Sequence, residues 1–331
     1  MAGVVLEVLL LATLAAAAEL KQKTIEGFER YVRATEARMA RESADSFLWT
    51  DRLAQQQAEA HLLALRRGGV FIESLKTEED DKRIEVPDGM VHHWVGIVFI
   101  PGATIEQTLA VLQDYDNHQK TYGPYVRRSK LIQRDGDTFQ IYLQFYRKTF
   151  ITAALNANFD VRWVPVDEAR VTSRSYSTRI AEIENFGQRD EREKPVGTGR
   201  GFLWRLNTYG RLLEQDGGVY FQLESVALTR RVPTGWGWLI NPLVRRVPRE
   251  SLSLLLNGTK KAVRANIEPK PPEVSARLSR CEQSSLRDSI LLRTYPALKR
   301  WARKRGAPPA PALSSPKSRL LAPLGLFPLQ N

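Results

Sequence analysis

The chain has 331 residues, 43% hydrophobic and 26% charged, with one cysteine and a formal net charge of +12. That apolar fraction can bury a substantial core, and the length suggests about two domains, while the lone Cys281 excludes an internal disulfide framework. The charge does not identify a nucleic-acid binder: residues 269–331 hold 12 Lys/Arg against 3 acids, a net of +9, which leaves +3 for residues 1–268.

The chain opens on "MAGVVLEVLLLATLAAAAELKQKT". An apolar run ending in Ala15–Ala18 reads as a secretory signal over residues 1–18, and hence as export to a periplasmic or extracellular space. It has no basic residue before the run, and Glu7 interrupts it, so an uncleaved anchor and an amphipathic leader are the competing readings. Without export the protein is cytoplasmic. From Thr24 to Arg67, Phe28, Val32, Met39, Leu62 and Leu65 recur at helical spacing, and Gly68-Gly69 stops the pattern. Residues 19–68 are therefore read as a helical segment packing beside the main domain or on a partner.

Residues 69–267 form the main domain. "VFIESL" and "RIEVPDGM" are short β-prone runs, and His92–Ile100 is a longer one ended by Pro101-Gly102. "ATIEQTLAVLQDY" then switches to helical spacing, with Thr104 and Gln107 placed as a capping box. A train of strands follows. "TFQIYLQFYRKTF" alternates Phe139, Ile141, Leu143 and Phe145 with Gln140, Tyr142, Gln144 and Tyr146, the pattern of an antiparallel sheet. Further strands run through "LNANFDVRWVPV" and "ARVTSRSYSTRIAEI", and residues 201–230 make a hairpin at Asp216-Gly217-Gly218. A long helix, expected to start at Pro248 to Glu250, closes the domain with Leu252, Leu255, Leu256 and Val263 on one face. The order predicts an α+β fold, an antiparallel sheet curled over one helix. Beyond it, residues 268–331 are rich in Pro, Ser, Arg and Ala and read as a basic, disordered tail.

Residues ~90–266, about the size of one domain, resemble the START-like helix-grip superfamily, also called SRPBCC, with its polyketide cyclases, coenzyme Q-binding proteins and lipid-transfer domains. "VFIPGATIEQTLAVLQDYDNHQKTYGPYV", "GFLWRLNTYG…GGVYFQLESVALTR" and "PRESLSLLLNGTKKAV" carry the resemblance, and "STRIAEIEN" with "PTGWGWLINPLV" point to a bacterial branch. The resemblance implies a deep apolar cavity between sheet and helix. It transfers no reaction, since the superfamily shares no catalytic motif.

Several motifs carry chemistry on paper. His92 and His93 are neighbours on a strand, so they face opposite ways and cannot readily share an ion; one is expected in the core or cavity wall and one outside. "DYDNH" lacks the glycine and terminal glutamate of a calcium loop, and neither H-x-x-x-H nor C-x-x-C occurs, so no metal or other cofactor is expected. No G-x-S-x-G is present, and "GTGRG" precedes a strand rather than a helix, which makes it a turn. Nucleic-acid binding by the tail is unsupported, because only Tyr295 and Trp301 lie among its basic residues.

Alternation places Arg205, Asn207 and Tyr209 on one face, and Ser173, Ser175, Ser177 and Arg179 on one face. Facing the cavity, Arg179 and Arg205 would orient a ligand headgroup, with Asn207 and Tyr209 donating hydrogen bonds. Facing solvent, they would pair with Glu182 or Glu184. Leu252 and Leu256 would supply apolar wall. "RRVPTGWGWLINPLVRR", with Trp236 and Trp238 between arginine pairs, reads either as a mouth touching a membrane surface or as a short helix capping the core. The leading expectation is binding or transfer of a hydrophobic small molecule. The alternative is a cyclase-, dehydratase- or hydrolase-like enzyme using Tyr209, Arg205 or His92 as acid and base.

Overall fold

The computed structural model describes residues 19–42, 46–148, 152–231 and 237–267, with backbone alone over 237–245. The leader, Trp236 and the basic tail lie outside these residues. In chain order the elements are α1 (Gln22–Ala40), α2 (Gln55–Arg66), β1 (Val70–Ser74), β2 (Gly89–Pro101), α3 (Ile105–Leu112), α4 (His118–Thr121), β3 (Val126–Asp135), β4 (Thr138–Lys148), β5 (Thr152–Asp167), β6 (Arg170–Glu184), β7 (Arg205–Gln215), β8 (Gly218–Arg230) and α5 (Gly237–Ile267). A 3-10 turn at Trp49–Arg52 precedes α2. Among the described residues no helix is long and apolar enough to cross a membrane.

The strands form one antiparallel sheet in the order β1-β2-β8-β7-β6-β5-β4-β3, with the two-residue strand Arg192–Glu193 added against β6. Hairpins join β3 through β6 in sequence, so their neighbours need only tight turns. The long return from β2 through α3 and α4 carries the chain to the opposite edge. Thr104 caps α3 as its sequence predicts: its hydroxyl accepts from the Gln107 amide (3.2 Å), and Gln107 Oε1 accepts from the Thr104 amide (3.0 Å).

Both faces of the sheet are covered at its β2-β8-β7 end. On the inner face, Leu252, Leu256 and Val263 of α5 join Val98, Ile100, Leu212 and Phe221 in the main core. On the outer face, Phe28 and Tyr31 of α1 pack on Trp204, Tyr209, Val226 and Leu228. Beside them, Phe47, Leu48, Trp49 and Leu65 pack on Val95, Ile97, Phe99 and Tyr220. The N-terminal helices are therefore the third layer of a helix–sheet–helix stack, held by apolar stripes at helical spacing.

α5 differs from its expected start. It begins at Gly237 and runs through Pro242 and Pro248, eleven residues before the signal at Pro248. A proline marks a favoured first-turn position but does not forbid a helix that packing holds in place. α5 packs tightly on the sheet at Gly96 of β2. A Cβ there would lie 2.6 Å from Leu256 Cδ1 and 3.0 Å from Leu252 Cδ2, so only glycine admits the two leucines. Gly96→Val should accordingly destabilise the fold by about 1–3 kcal/mol through overpacking, read as a fall in urea midpoint. Leu254→Ala, at an exposed position of the same helix, should stay within about 0.5 kcal/mol of wild type.

Candidate functional site

The inner face divides into a filled end and a half-open end. Cross-strand register shows the division row by row. Trp163, Ser173, Gly210, Leu223 and Gly96 form one row across β5, β6, β7, β8 and β2. Leu252 and Leu256 seat on its Gly96 end, and Trp163, Ser173 and Leu223 are buried. The next row toward the β8–α5 connection is Val161, Ser175, Thr208, Ser225 and Trp94. There only Val161 is buried, and Ser175, Thr208, Ser225 and Trp94 are all half-buried. Beyond it, Ala227 of β8 lies opposite His92 of β2, and Leu206 opposite Ala227. The Gly96 row is thus closed by the α5 leucines, while the next row, with three hydroxyl-bearing residues, stays half-buried.

The charged or titratable groups described on this face are engaged within the protein. Arg147 pairs with Glu250 of α5. Glu182 accepts from the backbone amides of Arg200 (2.7 Å), Gly201 (2.7 Å) and Phe202 (2.9 Å). "GTGRG" is therefore a turn, as its sequence predicts, and a turn that wraps a carboxylate. Gly199, at φ 113°, has no space for a Cβ beside Glu182. His92 pairs with Thr229 (2.9 Å), and burial pushes its pKa down to about 4, so it is neutral near pH 7.

Arg205, Asn207 and Tyr209 lie on the outer face, toward α1. The Tyr209 hydroxyl donates to Glu36 Oε1 (2.8 Å), and Tyr176 donates to the same oxygen (2.7 Å). Burial first, then the Glu36 carboxylate, raises the Tyr209 pKa. Arg205 donates to the Trp204 carbonyl, and Asn207 is buried beneath the helical layer. Alternation groups residues on a face but does not say which layer covers it. Arg179 also parts from the serines. Ser177 is opposite Phe159 and Arg179 opposite Asn158, so Thr178 is an extra residue, a bulge that reverses the alternation. Arg179 consequently points outward and pairs with Glu193 rather than with Glu182 or Glu184. Leu252 and Leu256 do face the sheet; Trp238 lies on the α5 backbone. Tyr209, Arg205 and His92 do not converge on one point, since a sheet separates His92 from the other two.

His93 faces outward yet is also buried, because α1 covers it. Its Nε2 lies 2.6 Å from Glu224 Oε1, and its Nδ1 lies 3.0 Å from the Tyr31 hydroxyl, which accepts from the Thr77 amide (2.8 Å). Arg38 of α1 bridges Glu224 and Glu42, and Arg52 and Arg211 also pair with Glu42. A Glu–His–Tyr chain has the look of a catalytic relay, but His93 is 3% and Glu224 1% exposed, which leaves no approach for a substrate. This is a clamp between α1 and the sheet. Sequence reasoning missed it; the available signal was Gln222 and Glu224 sharing a face with Tyr220 and Val226 inside an apolar strand.

Two further candidates are weaker. "DYDNH" is engaged by the backbone of β3 and α3: Asp116 accepts from the Leu131 amide (3.0 Å) and His118 pairs with the Leu112 carbonyl (3.2 Å). Among the described residues no group of three His, Cys, Asp or Glu is placed to hold a metal. A cleft of about 660 Å³ on the outer side is lined by Leu48, Leu62, Tyr220, Asp51, Asp167 and Asp216, among others. Its aspartates are engaged locally, with the Leu48 amide, Arg170 and Arg66 respectively.

No family model and no curated protein matches the chain. Solved structures do. A STAR-related lipid transfer protein from Xanthomonas axonopodis is 16% identical, over 57% of this chain and 98% of that one, with a TM-score of 0.37. Human STARD10 is 11% identical over 63% and 80%, with a TM-score of 0.39. The Zhui aromatase/cyclase of a Streptomyces species is 12% identical over 54% and 98%, with a TM-score of 0.33. The fold itself is given by the strand order and by α5 lying across the inner face: it is an α+β helix-grip fold.

The clamp has a pH signature. Burial raises the Glu224 pKa, but the His93 hydrogen bond and charge, with Arg38 and Arg52, outweigh it and hold the group below the usual carboxylate range. A folded pKa below the unfolded one contributes stability above about pH 4.3, lost as pH falls through the folded pKa. Glu224→Gln should cost about 3 kcal/mol at pH 7, because it leaves buried positive charge uncompensated. It should also show a smaller loss of urea midpoint between pH 6 and pH 3 than wild type. Equal losses in the two proteins would show that Glu224 is not a clamp group.

Proposed function

We propose that the protein binds, and exchanges with a membrane or a partner, a hydrophobic small molecule held between the sheet and the first half of α5. The observation that carries this reading is the row Ser175, Thr208, Ser225 and Trp94, which stays half-buried inside a helix–sheet interface that is closed one row away. Small side chains in the interior of a packed domain normally give way to larger ones, since interiors fill to crystal-like density. Their persistence here suits a space kept for a ligand. Each ~100 Å² of ligand hydrocarbon moved from water onto this face contributes about 2.5 kcal/mol. Entry through residues 232–245 fits their sequence, which sets Trp236 and Trp238 among arginines as at a membrane surface.

Protein purified from cells and extracted with organic solvent should release a stoichiometric apolar molecule detectable by mass spectrometry. Thr208→Trp, which fills the half-open row, should abolish that cargo while cooperative unfolding is retained. Wild-type protein that is consistently empty, or a tryptophan variant that carries as much as wild type, would remove the basis for the reading.

A further inference from the structure

We propose that the ligand is an uncharged amphiphile whose hydroxyl or carbonyl oxygens are held by the hydroxyl row Ser175–Thr208–Ser225; this rests on the reading of the inner face as the binding site. Ser175 is opposite Thr208, and Thr208 is opposite Ser225, so three hydroxyls stand side by side on adjacent strands. With neighbouring strands about 4.8 Å apart, the row spans roughly 10 Å. Among the described residues none of the three has a protein hydrogen-bond partner, and neither has Ser173 one row away, whereas the two inner-face hydroxyls nearer the β8–α5 connection do. Ser177 accepts from the Leu206 amide (2.9 Å), and Thr229 pairs with His92 (2.9 Å). None of the three oxygens is fully enclosed, so each is free to bond to a ligand or to water.

The character of the row sets the ligand class. Hydroxyls both donate and accept, so they serve alcohol, ester and ketone oxygens alike. Val161 and Trp94 flank the row, giving hydrocarbon contact at each end. A carboxylate or phosphate buried here would need a cation, and the cations described on this face are engaged elsewhere: Arg147 is held by Glu250, and Arg134, at the far edge over the Phe139 ring, donates to the Gly136 carbonyl. Glu182 is likewise enclosed by three amides and does not offer itself to a cationic ligand.

The full-length protein, incubated with phosphatidylcholine vesicles containing equal amounts of diacylglycerol, oleate and squalene, is re-isolated and its cargo measured by mass spectrometry. Diacylglycerol should exceed oleate and squalene by tenfold or more. Thr208→Val keeps the shape and removes one hydroxyl, and it should lower the diacylglycerol-to-squalene ratio about fivefold, the effect of one hydrogen bond. Preference for oleate or squalene, or an unchanged ratio in Thr208→Val, overturns this inference alone. Recovery of none of the three removes the binding reading and this one with it.

Discussion

The structure depends on covering one sheet from both sides. The central strands β2, β8 and β7 carry large apolar residues on each face, so both faces need cover. α5 closes the inner side. The outer side is closed by α1, the 3-10 turn and α2, tied down by the buried ion pairs around Glu224 and Glu42. Charges this deep add little net stability over apolar packing, but an unpartnered one is costly, so they favour a single seating of α1 on the sheet.

That covering decides which polar residues remain for a ligand. Tyr209, Tyr176 and Arg211 are the more conspicuous strand polar groups, and all three are taken up by the helical layer: the tyrosines by Glu36, Arg211 by Glu42 and the Phe47 carbonyl. Among the described inner-face residues the charged groups are engaged within the protein, and hydroxyls and hydrocarbon remain.

The closed row of the inner face has its cause in α5, whose leucines descend to the backbone of β2 at Gly96. The row through Thr208 lies beside that contact and stays half-buried.

Much of this was legible in the residues alone. Alternation in β4, the capping box at Thr104, the turn at Asp216-Gly217 and the α5 face of Leu252, Leu256 and Val263 are local patterns, and local backbone chemistry settles them. Sequence therefore determined the elements, their sharing of faces and the α+β class. It did not determine which face lay inside, where a single bulge at Thr178 turned Arg179 outward, or that α1 would bury His93 against Glu224. The seating of α1 comes from contacts between residues 62 to 186 positions apart, and the bulge from the pairing of β5 with β6. No periodicity encodes them, because what selects them is the burial and pairing of whole layers in three dimensions.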